Sequence, residues 1–94
     1  MNQKPSISVA KVLIDGFHLS EAKICLEQLL SENNKDDQAL YLMGNIARRE
    51  GHFAKAINYY NAALEANPGN KAAESGIEML NEILAYRNTD LINP

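Results

Sequence analysis

The feature that most constrains this chain is an internal repeat of 34 residues. Residues 3–36 and 37–70 lie on the same frame, and the second copy is the clearer one. Shifting the sequence by this period aligns the following pairs: Ala10 with Gly44, His18 with His52, Ala22 with Ala56, Leu26 with Tyr60, and Leu30 with Leu64. A period of this length is typical of helical solenoids, in which one unit cannot bury its apolar face alone and stacks on the next. The repeat therefore predicts an array whose exposed surface binds partners.

The composition limits what this array can bind and where it works. The chain has 94 residues, which suits one small domain, and 46% of them are hydrophobic, as in ordinary globular proteins. A net charge of -3 argues against nucleic-acid binding, which requires a concentrated basic surface. No segment has the apolar length of a signal peptide or a membrane span, so we expect a cytoplasmic protein that does not bind membranes.

Apolar residues at helical spacing divide the chain into five helices and no strand. The predicted helices run from Ser6 to Ile14, from a cap at Ser20 to the polar run 31–37, from Asp36 or Asp37 to Gly51, from Phe53 to the Asn67-Pro68-Gly69 turn, and from a cap at Asn70 to about Arg87. Short connections make consecutive helices antiparallel neighbours. We therefore expect one all-α domain over 1–94, with repeat one at 3–36, repeat two at 37–70, a capping helix at 71–88 and a tail at 89–94.

The second copy resembles the tetratricopeptide repeat, a helix-turn-helix unit with large and small residues at fixed positions. The residues that carry this resemblance are Leu40, Met43, Gly44, Ala56, Tyr60, Ala63 and Pro68. The departures are Ala47 in the second copy and Ser6, Leu29 and Asn34 in the first. The resemblance implies a TPR-like α-α superhelix that binds other proteins. It also implies a solvating cap, because Glu78 falls on the frame position of Gly44.

In the family, the inner face of the superhelix is lined by the first helix of each pair, and this implies a peptide-binding groove. Tyr41, Asn45 and Arg48 lie at i, i+4 and i+7 and therefore share one stripe of the third helix. The other expected groove residues are Ile7 and Lys11 of the first helix and Met79 of the last. Arg48 can hold a carboxylate through two hydrogen bonds and Tyr41 supplies rigid contact area, which favours a peptide segment with one acidic group. The open alternative is a solvated face. The partner protein is not identified by these residues.

The last helix carries a second apolar stripe, formed by Met79, Ile83 and Tyr86. A single capping helix can bury one face on its own chain, so this stripe needs another cover. The alternatives are a second copy of the chain, which would make a homodimer, and the tail from Asp90 to Pro94 folding back. The runner-up function is therefore self-association through the last helix.

Other chemistry has little support in the residues. The glycines form no phosphate-binding loop, and no metalloprotease or serine-hydrolase motif is present, so we expect no catalytic residue and no cofactor. His18 and His52 occupy the same turn in consecutive repeats, which helix packing separates by about 10 Å, too far to share one metal ion. Cys25 lies on an apolar stripe and is expected to pack as a small hydrophobic residue.

Overall fold

The computed structural model describes the backbone of residues 4–92 and the side chains of residues 4–86. Over these residues the chain forms five α-helices and no strand. The helices are α1 at Ile7–Asp15, α2 at Leu19–Glu32, α3 at Asp37–Arg49, α4 at Phe53–Ala66 and α5 at Lys71–Ile92. Each helix packs on the next, and α1 also packs on α3. The predicted all-α array of two helix pairs and a final helix is confirmed.

Short polar side chains start three of the helices by accepting hydrogen bonds from free backbone N–H groups. The Ser6 hydroxyl accepts from Val9 N at 3.1 Å at the start of α1. Asp36 rather than Asp37 caps α3, since its Oδ1 accepts from Ala39 N at 3.1 Å. Asn70 caps α5 in the same way, as predicted, with a distance of 2.9 Å from its Oδ1 to the N of the residue three positions on.

The predicted start of α2 and the predicted end of α5 are wrong. Ser20 is not the cap of α2, because His18 occupies that position and Ser20 lies inside the first turn of the helix. The turn is closed by a hydrogen bond from His18 N to Leu13 O at 2.8 Å, which starts α2 earlier than the polar residue does. The last helix continues to Ile92 rather than ending at 88, since neither glycine nor proline interrupts it between Gly76 and that end.

The tail predicted at 89–94 is therefore helical over 89–92, while residues 93–94 lie outside the described part. A continuous helix carries its residues away from its own earlier turns, so residues 90–92 cannot fold back over the Met79 stripe. Cover by the tail is ruled out for these residues.

The buried residues of the described part form two apolar clusters that share α3. On one side, Leu42 and Ile46 pack with α1 and α2. On the other side, Leu40 and Ala47 pack with α4 and α5. Because α3 is covered on both sides, only the narrow stripe that carries Tyr41 remains partly open.

The closest helix contacts of the second cluster surround the ring of Tyr60, which is fully buried. A Cβ atom added at Gly44 would lie 2.5 Å from Tyr60 Cε1, and one added at Gly76 would lie 2.8 Å from Cε2. The ring therefore lies between α3 and α5 at the points where neither helix has a side chain. The close approach at Gly44 is the expected one. On α5 it falls at Gly76, whereas Glu78, the frame equivalent of Gly44, is exposed.

Candidate functional site

Three cavities follow one another along the face formed by α1, α3 and α5, and we call this continuous surface the groove. Their volumes are about 340, 300 and 210 Å³. Tyr41 lines all three. The first and second cavities also share Lys11 and Leu42, and the second and third share Asn45. One aromatic side chain of α3 is therefore the centre of the groove, with α1 on one side and α5 on the other.

The structure brings the six predicted groove residues to this surface. Their places are as follows: Ile7 and Lys11 line the first cavity, Lys11, Tyr41 and Asn45 line the second, and Tyr41, Asn45, Arg48 and Met79 line the third. Peptide binding by these residues stays a prediction. Their proximity follows from α3 packing directly on α1 and sharing the Tyr60 contact with α5.

A polar cluster forms the wall of the third cavity where α3 meets α4. The Tyr60 hydroxyl donates a hydrogen bond to Asn45 Oδ1 at 2.5 Å. The rings of Tyr41 and Tyr60 are tilted by 34°, with centroids 5.7 Å apart. Burial raises the pKa of the Tyr60 hydroxyl above its usual value, and the neighbouring Arg48 guanidinium opposes that rise. Tyr60 thus reaches from the core to the groove and fixes the orientation of Asn45.

Arg48 is the member of this cluster with an unmet hydrogen-bonding need. Its Nε is buried and has no hydrogen-bond partner among the described residues. The residue as a whole is half-buried at the edge of the third cavity. A guanidinium N–H that is shielded from water without an acceptor is unfavourable, and an anion held beside the guanidinium in the cavity stabilises its charge.

The groove is more basic than the chain as a whole. Its lining cations are Lys11, Arg48 and Arg49, and its lining carboxylates are Asp15 and Asp37. The Asp37 carboxylate already accepts from the side-chain amides of Asn67 and Asn70, at 3.1 and 2.8 Å. Since the whole chain carries a net charge of -3, the negative charge is concentrated outside the groove. An acidic ligand is therefore favoured there.

The sequence pattern does not single out Arg49 as a groove residue. It directly follows Arg48, so the two side chains point about 100° apart around α3. In the structure Arg49 Nη1 donates to Ile14 O at 3.2 Å, which places its guanidinium across the end of α1 and in the wall of the second cavity. The one sequence signal for Arg49 is that an arginine ends α3. Its position beside the α1–α2 turn of the preceding repeat follows only from the packing.

The apolar stripe predicted on α5 is only partly free. Met79 is 38% exposed and Tyr86 is 82% exposed. Ile83, between them, is half-buried and packs on the second apolar cluster. The stripe is therefore not continuous on the described part of the helix, and Tyr86 is its most accessible member.

The remaining candidate residues lie in structural positions. Cys25 is buried, and its Sγ lies 3.6 Å from Ser6 O. His18 and His52 are the residues that precede α2 and α4, each with a carboxylate oxygen 3.9 Å from its Nδ1. Among the described side chains, no group of three or more His, Cys, Asp or Glu residues lies close enough to hold a metal ion. None of the described helices has both the length and the apolar character that crossing a membrane requires.

The comparisons with known proteins identify one segment. Residues 37–70 match the family model of the tetratricopeptide repeat. These are the same bounds as the second repeat, and they contain α3, α4 and the central groove residues. A search of curated proteins finds no match to this chain.

Proposed function

We propose that the groove of this TPR-like helical array binds a peptide segment carrying an acidic side chain, since residues 37–70 match the tetratricopeptide repeat and such repeats generally mediate protein–protein interaction. The observation that carries this proposal is the buried Nε of Arg48, which has no hydrogen-bond partner among the described residues and lies beside the third cavity. A ligand carboxylate in this cavity can accept two parallel hydrogen bonds from one guanidinium.

The length of the groove favours a peptide over a small anion. A single anion would occupy only the cavity next to Arg48, whereas the three cavities continue past Tyr41 to Lys11 on α1. Tyr41 is half-buried and held against the Tyr60 ring, so it offers contact area at little loss of conformational freedom. The side-chain amides of Gln38 and Asn45 add donors and acceptors that suit a peptide backbone.

A library of random linear peptides displayed on phage tests this function without a known partner. We expect selection on the wild-type chain to enrich peptides that contain Asp or Glu. A synthetic copy of the most enriched peptide should then bind Arg48→Gln about tenfold more weakly or worse, because a hydrogen bond to a charged group is worth about 1.5–3 kcal/mol. Tyr41→Ala should also weaken binding, because it removes the aromatic contact area at the centre of the groove.

The matched control is Lys55→Gln, which removes one positive charge from an exposed position of α4 that lines none of the three cavities. It should leave the affinity within about twofold, as expected for a surface charge outside the contact. Enrichment without acidic residues, or equal affinity for the wild type and Arg48→Gln, would remove the assignment. Circular dichroism of each variant separates lost binding from lost folding.

Self-association through α5 is the second candidate function, and the exposure of Tyr86 favours it. The helix has 22 residues, whereas α4, on which it packs, has 14, so α5 is longer than its neighbour. An exposed aromatic side chain is a typical interface anchor. Light scattering tests this: the expected mass is that of a dimer at high concentration, reduced to a monomer by Tyr86→Glu. A monomer at every concentration removes the hypothesis, and a dimer that survives both Tyr86→Glu and Ile83→Glu places the interface elsewhere.

A further inference from the structure

The turn between α1 and α2 holds a large residue in a backbone conformation that favours glycine. Phe17 has a φ of 62° and is the one non-glycine residue with positive φ among the described residues. Gly51, one period later, has a φ of 84°. The hydrogen bonds of the two turns match: His18 N donates to Leu13 O and His52 N donates to Ala47 O, both at 2.8 Å. The turn requires a left-handed residue, which glycine supplies freely and phenylalanine supplies only with strain.

Burial of the ring does not offset this strain. The Phe17 residue is 75% exposed, so most of its apolar surface faces water. The ring contacts Arg49, whose guanidinium carbon lies 5.2 Å from the ring centroid. Strained backbone together with an exposed aromatic is a combination that folding alone does not favour, and such strain is concentrated at functional sites.

The Phe17 ring is also not needed to hold the two repeats together. Arg49 Nη1 already donates to Ile14 O at 3.2 Å, and this bond uses no atom of Phe17. A separate ion pair joins the repeats, with Lys23 Nζ 3.2 Å from Glu50 Oε2. A glycine at position 17 would preserve both contacts and the turn.

The location of the ring connects it with the groove. Arg49 contacts the Phe17 ring and also lines the second cavity, beside Asn45. Asn45 in turn lines the third cavity with Arg48. Phe17 lines none of the three cavities itself, and it borders the second cavity through Arg49, which contacts both.

We propose that Phe17 is a specificity residue of the groove, and that its exposed ring, backed by Arg49, receives an apolar side chain of the same acidic peptide that binds Arg48. The occupant is thus a peptide with a carboxylate and an apolar or aromatic side chain at a fixed spacing. This inference rests on the proposed function of the groove. It adds a second determinant that the helix stripe of Tyr41, Asn45 and Arg48 does not contain.

The test uses the opposite effects that Phe17→Gly has on folding and on binding. A glycine relieves the left-handed strain, so the melting temperature should stay the same or rise. The phage library should be selected in parallel on the wild type, Phe17→Gly and Arg48→Gln. We expect the wild type to enrich peptides with both determinants, and Phe17→Gly to keep the acidic preference and lose the apolar one.

Affinities for one synthetic peptide selected on the wild type complete the experiment. Phe17→Gly should weaken its binding about tenfold, the scale expected for loss of an aromatic contact. Phe17→Tyr, which keeps the ring, should retain the binding. The control Ile24→Ala removes an apolar side chain that is 60% exposed and lines none of the groove cavities, and it should leave the affinity unchanged.

An apolar preference that persists in Phe17→Gly, or an unchanged affinity in that variant, overturns the role of Phe17. If Arg48→Gln still loses the acidic peptides in that case, the proposed function of the groove stands without it. If the wild type enriches no acidic peptides, both proposals are wrong.

Discussion

The two repeats of this protein have nearly the same backbone at their ends but are built from different residues. The residues that end α2 and α4 are Asn33, with φ and ψ of -147° and 97°, and Asn67, with -148° and 97°. Each side chain accepts a hydrogen bond from the backbone N–H two residues on, at 3.0 Å. Repeat two has Pro68 in this turn and repeat one has Asn34, yet the geometry is the same. The asparagine, rather than the proline, accounts for the shared turn.

The interiors of the repeats differ in a way that affects function. In repeat one, Ala10 and Leu26 are fully buried and offer no polar atom to the groove. In repeat two, the aligned positions are Gly44 and Tyr60, and the Tyr60 hydroxyl reaches Asn45. The same helix pair thus forms a purely apolar support in one repeat and a polar wall of the groove in the other.

The largest expected effect comes from filling the space that repeat two leaves for its tyrosine. Gly44→Leu places side-chain atoms where a Cβ alone would lie 2.5 Å from the Tyr60 ring. We expect the free energy of unfolding, measured by urea denaturation, to fall by about 3 kcal/mol through overpacking. An unchanged value would refute the packing register of α3 on α4.

Glu78→Leu is the matched control for this prediction. Position 78 lies one period after Gly44, but it is exposed on α5, so the change should alter stability by no more than about 0.5 kcal/mol. Gly76→Leu, by contrast, should behave like Gly44→Leu, since Gly76 faces the other side of the same ring. Equal losses for Glu78→Leu and Gly76→Leu would contradict the assignment of Gly76, rather than position 78, to the contact with Tyr60.

The next effect tests the turn that the repeats share. Gly51→Ala adds a methyl group that meets no heavy atom within 4 Å, so any loss comes from the left-handed backbone alone. We expect thermal unfolding to show a loss of about 1–2 kcal/mol. No loss would mean that the turn tolerates side chains freely, and the strain assigned to Phe17 would then be absent.

The smallest effect concerns the buried hydroxyl that repeat two has and repeat one lacks. Burial raises the pKa of Tyr60, so the folded chain keeps the hydroxyl proton at a pH at which the unfolded chain has begun to release it. The contribution of Tyr60 to the free energy of unfolding should therefore be constant below about pH 10 and fall as the pH rises above that value. Tyr60→Phe should remove this fall, at a loss of about 1 kcal/mol at neutral pH from the missing hydrogen bond to Asn45.

Tyr86→Phe, which alters an exposed tyrosine, serves as the control and should keep the alkaline fall in stability. The measurement is urea denaturation at a series of pH values for the three proteins. Identical alkaline slopes in the wild type and Tyr60→Phe would show that the Tyr60 hydroxyl does not couple to folding.

Much of the fold follows from local residue patterns, and the errors have local causes too. The caps at Asp36 and Asn70 were predictable because a side-chain oxygen before a helix has one favourable partner nearby. Ser20 has the same chemistry but lies inside α2, because the left-handed turn at Phe17 sets where that helix begins. The end of α5 was predicted too early because weak helix formers lower stability without breaking the helix.

The candidate site could be predicted only where its residues share one helix. The spacing of Tyr41, Asn45 and Arg48 was sufficient to bring them to one stripe, and the structure places all three along the groove. Phe17 and Arg49 come from different repeats, and their contact depends on how α3 packs against the α1–α2 turn. No spacing within the sequence encodes that distance.

The sequence by itself determined the number, order and approximate bounds of the helices, because apolar periodicity and capping act over a few residues along the chain. Only the tertiary structure decided that Gly76 rather than position 78 meets Tyr60, and that the Arg48 Nε is left buried beside a cavity. Both outcomes depend on contacts between side chains on different helices, so they are decided by tertiary packing and not by a pattern within one helix.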